Sequence, residues 1–157
     1  MRLYRCKFTG HPADAQVKKK YVLVGVPATG CPCGNGSSYP NCCGSFHGGT
    51  PAPTAEKLMR ARYSAYALRD DAFILASWHP TTRPPVLDDD AGAADTRWLG
   101  LEIVRSSEAG NDATVEFIAR YKLGGRARRL HEVSRFVREA GCWWYLDGSF
   151  PKEKEMT

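Results

Sequence analysis

Residues 30–53 constrain most tightly what this chain can fold into. The segment is rich in Gly, Ser, Pro and Cys. Such a stretch has too little apolar mass to pack a core of its own, so it needs a staple, either a metal or disulfides. Four of the chain's six cysteines lie in it, as Cys31-Pro-Cys33 and, after eight intervening residues, Cys42-Cys43. Thiolates are good zinc ligands, and four of them close a tetrahedral structural site. Gly34, Gly36 and Gly44 stand beside the ligands, where a tight metal loop calls for left-handed backbone. In an extended chain the side chains of Cys42 and Cys43 would point apart, so the pair demands a turn or a helix start. Disulfides are the competing staple. A vicinal disulfide is strained, and no secretory signal precedes the cluster. The reading is one structural zinc on Cys31, Cys33, Cys42 and Cys43. His47 is the alternative fourth ligand in place of Cys42 or Cys43, or else lies behind the ligands or at the surface. Cys6 and Cys142 read as lone thiols.

The rest of the chain divides by its hydrophobic period. Thr54 is an N-cap for a helix running to Arg69, with Leu58, Met59, Ala65, Tyr66 and Leu68 on one broad face. Asp70 and Asp71 open a second, shorter helix through Trp78, and Pro80 stops it. Residues 80–96, with Asp88, Asp89 and Asp90 in a row, read as a loop. Beyond it the period becomes two, giving strands over Trp98–Arg105, Thr114–Leu123, Arg126–Arg138 and Cys142–Leu146, with Gly124-Gly125 as a turn. Helices first and antiparallel strands afterwards argue for an α+β domain. Its expected core is Leu58, Phe73, Leu101, Phe117 and Phe136. Residues 1–29 show one short strand, Lys20–Val26, and no sustained period, so residues 1–20 read as dispensable.

Charge narrows the function classes. The net charge is +5, with positives gathered in Lys18-Lys19-Lys20 and in Arg126, Arg128, Arg129, Arg135 and Arg138. A basic face of this kind suits nucleic acid or anionic lipid, although a solvated strand face explains it as well. No apolar run approaches the roughly 20 residues that a membrane helix needs. Lys18–Val26 followed by Cys31 imitates a lipoprotein signal, but the apolar stretch is short, starts late and is broken by Pro27. The expected location is therefore cytoplasmic.

The residues also carry a family likeness. Cys31-Pro-Cys33-Gly34-Asn35-Gly36, Tyr39 and Cys42-Cys43-Gly44 closely resemble the SEC-C motif, the zinc-binding tail of the SecA translocation ATPase. Pro53-Thr54-Ala55-Glu56, Leu58 through Tyr66, Trp78-His79-Pro80, Leu130-His131-Glu132, Ser134-Arg135-Phe136 and Trp143-Trp144-Tyr145 resemble the YchJ family of bacterial proteins. The resemblance covers about residues 30–150. It implies a SEC-C knuckle fused to a nuclear-transport-factor-like domain, a cystatin-like curved antiparallel sheet wrapped by helices into a cone with an interior pocket. The expected organisation is an N-terminal extension over 1–29, the knuckle over 30–50, the α+β domain over 54–150 and a tail over 151–157. Chelation is expected to unfold the knuckle and spare the domain.

If the cone exists, helical spacing puts Arg62 on the buried stripe, and a buried guanidinium must be paired or functional. Glu132 is its first expected partner and Glu102 its second. His131 faces away from Glu132. The candidate pocket is Arg62, Tyr66, Trp78, His79 and Glu132, floored by aromatics that include Tyr121 and Trp144. No constellation of nucleophile, base and orienting group is legible. The leading function is a zinc-binding cytoplasmic accessory protein whose knuckle meets a protein partner, as the SecA tail meets a chaperone and the ribosome. Two readings stand behind it: a small-molecule binder or enzyme using the pocket, and a nucleic-acid binder using the basic strand face.

Overall fold

A computed structural model describes Cys6, residues 30–87 and residues 95–152. The expected strand Lys20–Val26 lies outside the described residues. The chain enters through a 3-10 turn, Tyr39–Asn41, and a one-turn helix α1, Cys43–His47. Helix α2, Ala55–Leu68, follows. Thr54 caps it, its hydroxyl accepting from the Lys57 amide at 3.1 Å, which satisfies one of the donors every helix start leaves open. The sheet supplies a second partner there, as Glu108 Oε1 accepts from the Ala55 amide at 3.0 Å and brings negative charge to the helix N-terminus. Arg69, left-handed at φ 58°, ends α2. Asp70 then caps helix α3, Asp71–Ala76, through the Phe73 amide at 3.1 Å.

The expected second helix stops two residues short of Trp78. There the chain turns extended and bridges to the sheet, with the His79 amide donating to Tyr145 O at 2.7 Å and the Tyr145 amide to Ser77 O at 2.9 Å.

Four strands follow: β1 (Thr96–Ala109), β2 (Asp112–Leu123), β3 (Arg126–Glu139) and β4 (Cys142–Ser149). Each pairs antiparallel with the next, in the order β1-β2-β3-β4. The α+β class and the antiparallel sheet hold, but the cone does not. The sheet is an open meander with β1 and β4 as its edges, neither closed nor strongly curled. Short hairpins such as Gly124-Gly125, both glycines at positive φ, return every strand beside its predecessor. Closure would require the outermost strands to pair. Irregularities at Trp98/Gly100, Ile103/Arg105 and Arg135/Phe136 bend strands locally and go no further.

Helix α2 packs against β1, β2 and β4. The buried cluster joins Leu58, Met59, Phe73 and Ile74 from the helices to Val115, Phe117, Phe136 and Trp143 from the sheet. Leu101 is only partly buried against it. All four knuckle cysteines belong to the same cluster, with Tyr39 and Phe46 packed on it. This shared cluster argues against the expected independence of knuckle and domain.

Cys6 and Cys142 are not lone thiols: they form a disulfide across a sequence separation of 136, with Cα atoms 5.7 Å apart. Cys142 opens β4, so the bond ties Cys6 to the sheet.

Candidate functional site

The knuckle is shaped by its small residues. The Cys31 amide donates to Ser37 O at 2.9 Å and the Gly34 amide to Cys31 O at 3.1 Å, closing a loop in which Gly34 and Gly36 take φ of 76° and 90°. Asn35 Oδ1 accepts from the Ser37 amide at 3.1 Å, a side chain mimicking a backbone turn. The adjacent cysteines converge because Cys42 stands between the 3-10 turn and α1, at φ −129° and ψ −118°, breaking the extended alternation. Gly44 is obligatory there, since a Cβ would lie 2.6 Å from the Tyr39 carbonyl oxygen.

The four sulfurs are buried, and all lie within 4.8 Å of one another. Cys33 Sγ is 3.6 Å from Cys42 Sγ, which is 3.9 Å from Cys43 Sγ. Thiolates about 2.3 Å from a tetrahedral metal stand about 3.8 Å apart, so the spacing fits a metal. The electrostatics agree. Hydrogen bonds from Cys33 and Cys43 hold the Cys31 thiol far below its ordinary range, while the same bond to Cys31 drives Cys43 far up. Burial, then Cys33, pushes Cys42 up to about 11. Thiols this close compete for protons, and a divalent cation is what makes four thiolates compatible.

Helix α2 supports the cluster. Ser64 Oγ lies 3.5 Å from Cys31 Sγ, and Arg60 donates to Cys33 O at 3.3 Å. His47 is not a ligand: Nε2 lies 2.8 Å from Ala61 O and Nδ1 2.6 Å from Tyr39 Oη, so both ring nitrogens are engaged. Its ring packs 4.5 Å from that of Phe73, pinning α1 to the domain.

A cavity of about 600 Å³ opens between α2, Trp78 and the inner face of the sheet. Four of the five candidate pocket residues, Arg62, Tyr66, Trp78 and Glu132, line it. Arg62 is 3% exposed. Its NH1 donates to Ile74 O at 2.8 Å and to Ser77 Oγ at 2.7 Å, and its guanidinium carbon stands 4.1 Å from the Tyr145 ring centre and 5.2 Å from that of Trp78. Burial lowers its pKa against the raising influence of Tyr66, Tyr145 and Glu132.

Neither expected carboxylate pairs with Arg62. Glu132 Oε1 instead accepts from Tyr145 Oη and Ser134 Oγ, each at 2.9 Å, and Glu102 meets Arg120 at 3.6 Å on the exposed face. Burial, then the charge of Glu132, holds the Tyr145 hydroxyl protonated well above its usual range, so it remains a donor.

His79 lies outside the cavity. Its Nε2 is 2.9 Å from Glu139 Oε1 and its Nδ1 accepts from the Thr81 amide at 3.2 Å, so it closes the turn after α3. Trp144 belongs with it, its ring 6.2 Å from the imidazole. The residue that sequence reasoning missed is Tyr145. Phe136 faces inward and pairs with Tyr145, which puts Trp144 on the opposite face. Strict alternation along β4 contained that signal, but it needed a register. His131 faces outward to Glu116 at 2.9 Å. Along the basic face Arg120 and Arg135 pair with Glu102 and Asp147, so that face is charge-interleaved. Among the described residues no helix is long and apolar enough to cross a membrane.

A buried four-cysteine knuckle ahead of a helix-backed antiparallel sheet defines a SEC-C-motif protein with a nuclear-transport-factor-like domain. Two solved structures share that build. The solution structure of a SEC-C motif containing protein from Rhodopseudomonas palustris superposes with a TM-score of 0.70 at 37% identity, over 78% of this chain and 98% of that one. The crystal structure of a SEC-C motif containing protein from Psychrobacter arcticus gives 0.63 at 30%, over 83% and 86%. The family described as "YchJ, middle NTF2-like domain" matches residues 54–148, and a UPF0225 protein of Xanthomonas oryzae pv. oryzae is 55% identical over 124 residues, 78% of this chain and 95% of its own. The chain belongs to the YchJ (UPF0225) family.

Proposed function

We propose that this chain is a cytoplasmic accessory protein in which one zinc ion holds the knuckle in shape and the crown of the knuckle docks on a protein partner. Zinc suits four soft thiolates in tetrahedral array, and four protein ligands leave no position for a reacting water, so its role is structural. The four knuckle cysteines are unbridged, as a reducing compartment requires, and in such a compartment the Cys6–Cys142 bond would be open to reduction.

The observation that carries the reading is the contrast between the two sides of the knuckle. Its sulfurs and His47 are buried against α2, while Gly34, Asn35, Gly36, Ser37, Pro40 and Asn41 are exposed. A Cβ built at Gly34 or Gly36 would meet nothing within 4 Å, so that loop is flanked by open space. A polar loop displayed this way is suited to recognition.

The test is site-specific photo-crosslinking in the cytoplasm. A photoreactive residue at Asn35 or Asn41 should give one discrete protein adduct, absent when Cys33→Ser removes a ligand. The same residue at Arg105 on the sheet should give none. Identical adducts from all three positions, or none from the knuckle, would refute docking. Elemental analysis giving well below one zinc per chain would refute the metal assignment.

A further inference from the structure

Arg62 is the most unusual group in the molecule outside the knuckle. A guanidinium carries five N–H donors. Two, on NH1, are taken by Ile74 O and Ser77 Oγ. Among the described residues nothing accepts from Nε or NH2, and no carboxylate lies within ion-pair distance. A cation buried this deeply is costly unless its donors and charge are met. Two aromatic rings meet part of the charge through their faces, but they accept none of the three remaining N–H groups. Those groups belong to a residue that lines a cavity of about 600 Å³, inside the range that encloses a small organic ligand.

The walls indicate what kind of ligand fits. Trp98 and Tyr121 stand 5.1 Å apart and Trp98 and Tyr66 5.9 Å, centre to centre, forming an aromatic wall. Phe150, 66% exposed, and the exposed Arg128 also line the cavity and mark its mouth. Arg62 and Arg128 against Glu132 leave the cavity with one net positive charge. Glu132 is itself satisfied by two hydroxyl donors and does not compete for Arg62 at close range.

We propose that this cavity is a binding site for an aromatic carboxylate, the ring lying against Trp98, Tyr121 and Tyr66 and the carboxylate accepting the free N–H groups of Arg62. A planar carboxylate matches the fork of a guanidinium with two parallel hydrogen bonds. A phosphate monoester would bring close to two negative charges to a cavity with one net positive charge, and it would waste the aromatic wall.

The test uses the full, metal-loaded chain labelled with ¹⁵N. It is titrated separately with benzoate, naphthalene-2-carboxylate and indole-3-acetate, and in parallel with naphthalene-2-carboxamide and inorganic phosphate. At least one carboxylate should saturate at millimolar concentration or below, moving amides of inward positions such as Ala119, Tyr121, Leu130 and Ser134 and leaving Arg105 and Ser107 still. It should bind roughly tenfold to a hundredfold tighter than the neutral amide, the worth of charge-assisted hydrogen bonds. Arg62→Met, checked for folding by its own spectrum, should lose that advantage. Because the primary readout is wild-type protein, failure of the variant to fold does not decide the matter. Saturation by none of the three carboxylates, equal affinity for the amide, or the same shifts from phosphate alone would each overturn the proposal.

Discussion

Removing the metal should destabilise the whole chain and not the knuckle alone. Cys33 is 0% exposed and sits in the cluster that holds Leu58, Met59 and Phe73. Cys33→Ser takes away one of four thiolates, and with it the closed coordination shell that supplies the folding energy of such a segment. The knuckle then releases what it gives α2: the Arg60 bond to Cys33 O, the Ser64 contact to Cys31 and the His47 contact to Ala61 O. Three bonds at about 1 kcal/mol each contribute about 3 kcal/mol. Uncovering the partly buried Phe46 and Tyr39, and the Phe73 edge beneath His47, adds roughly 2 kcal/mol at about 25 cal/mol per Å². A loss of about 5 kcal/mol matches the lower bound of the usual stability of a domain. At about 2–4 °C per kcal/mol for a chain of this length, the melting temperature should fall roughly 10–20 °C. Near-UV circular dichroism reads the environment of Trp98 and Trp143, which lie in the domain and not in the knuckle. The expected result is one cooperative transition, lowered as a unit, in Cys33→Ser and in chelator-treated wild type alike. Loss of metal with an unchanged tryptophan spectrum and an unchanged main transition would refute the shared core.

Three further outcomes follow from particular contacts. The Cys6–Cys142 bond closes a long loop, so Cys6→Ser should cost about 2–4 kcal/mol under oxidising conditions and nothing when wild type is compared in reductant; equal urea midpoints in oxidant would show that the bond does not restrain the chain. A Cβ at Gly148 would overlap the carboxylate of Glu132, so Gly148→Ala should cost about 1–3 kcal/mol and become nearly neutral when combined with Glu132→Ala; strictly additive losses in denaturant melts would exclude that contact. The Arg135 guanidinium bonded to Asp147 lowers the Asp147 pKa below its ordinary value of 3.8. A depressed carboxyl contributes stability that is present above the unfolded pKa and lost as pH falls through the folded one, so Arg135→Ala should reduce stability slightly at pH 7 and leave it unchanged well into acid; an equal loss at both extremes would mean the contact is not electrostatic.

Local chemistry was legible wherever one residue type or one short period decided the structure. Thr54 as a cap, the apolar stripe of α2 and the period-two strands each follow from the geometry of a single element, and they recur with ends shifted by a few residues. The four cysteines were legible for the same reason: a Gly-rich loop holds them within a few residues of their final positions. The second helix ended early because the sheet captured Trp78 and His79 through Tyr145, a competition between local propensity and a strand that lies more than sixty residues away.

Pairings across the chain were not legible. Alternation along β4 puts Trp143 and Tyr145 on one face and Trp144 on the other, but which face meets α2 depends on the register with β3. Arg62 was readable as buried, since its helical position is local. Its partners were not, because Ile74 O and Ser77 Oγ reach it only when α3 folds back under α2. Cys6 looked solitary because nothing within the first thirty residues points to the start of β4. The fusion of knuckle and domain into one core depends likewise on His47 meeting Ala61 and Phe73. Sequence by itself determined the elements, the clustering of the four cysteines and the buried charge, all properties of spacing within about a turn or a hairpin. The tertiary structure alone decided that the sheet stays open, that the knuckle packs into the common core and that Arg62 faces a cavity with no carboxylate at ion-pair distance, because each is a contact between segments whose separation no local pattern encodes.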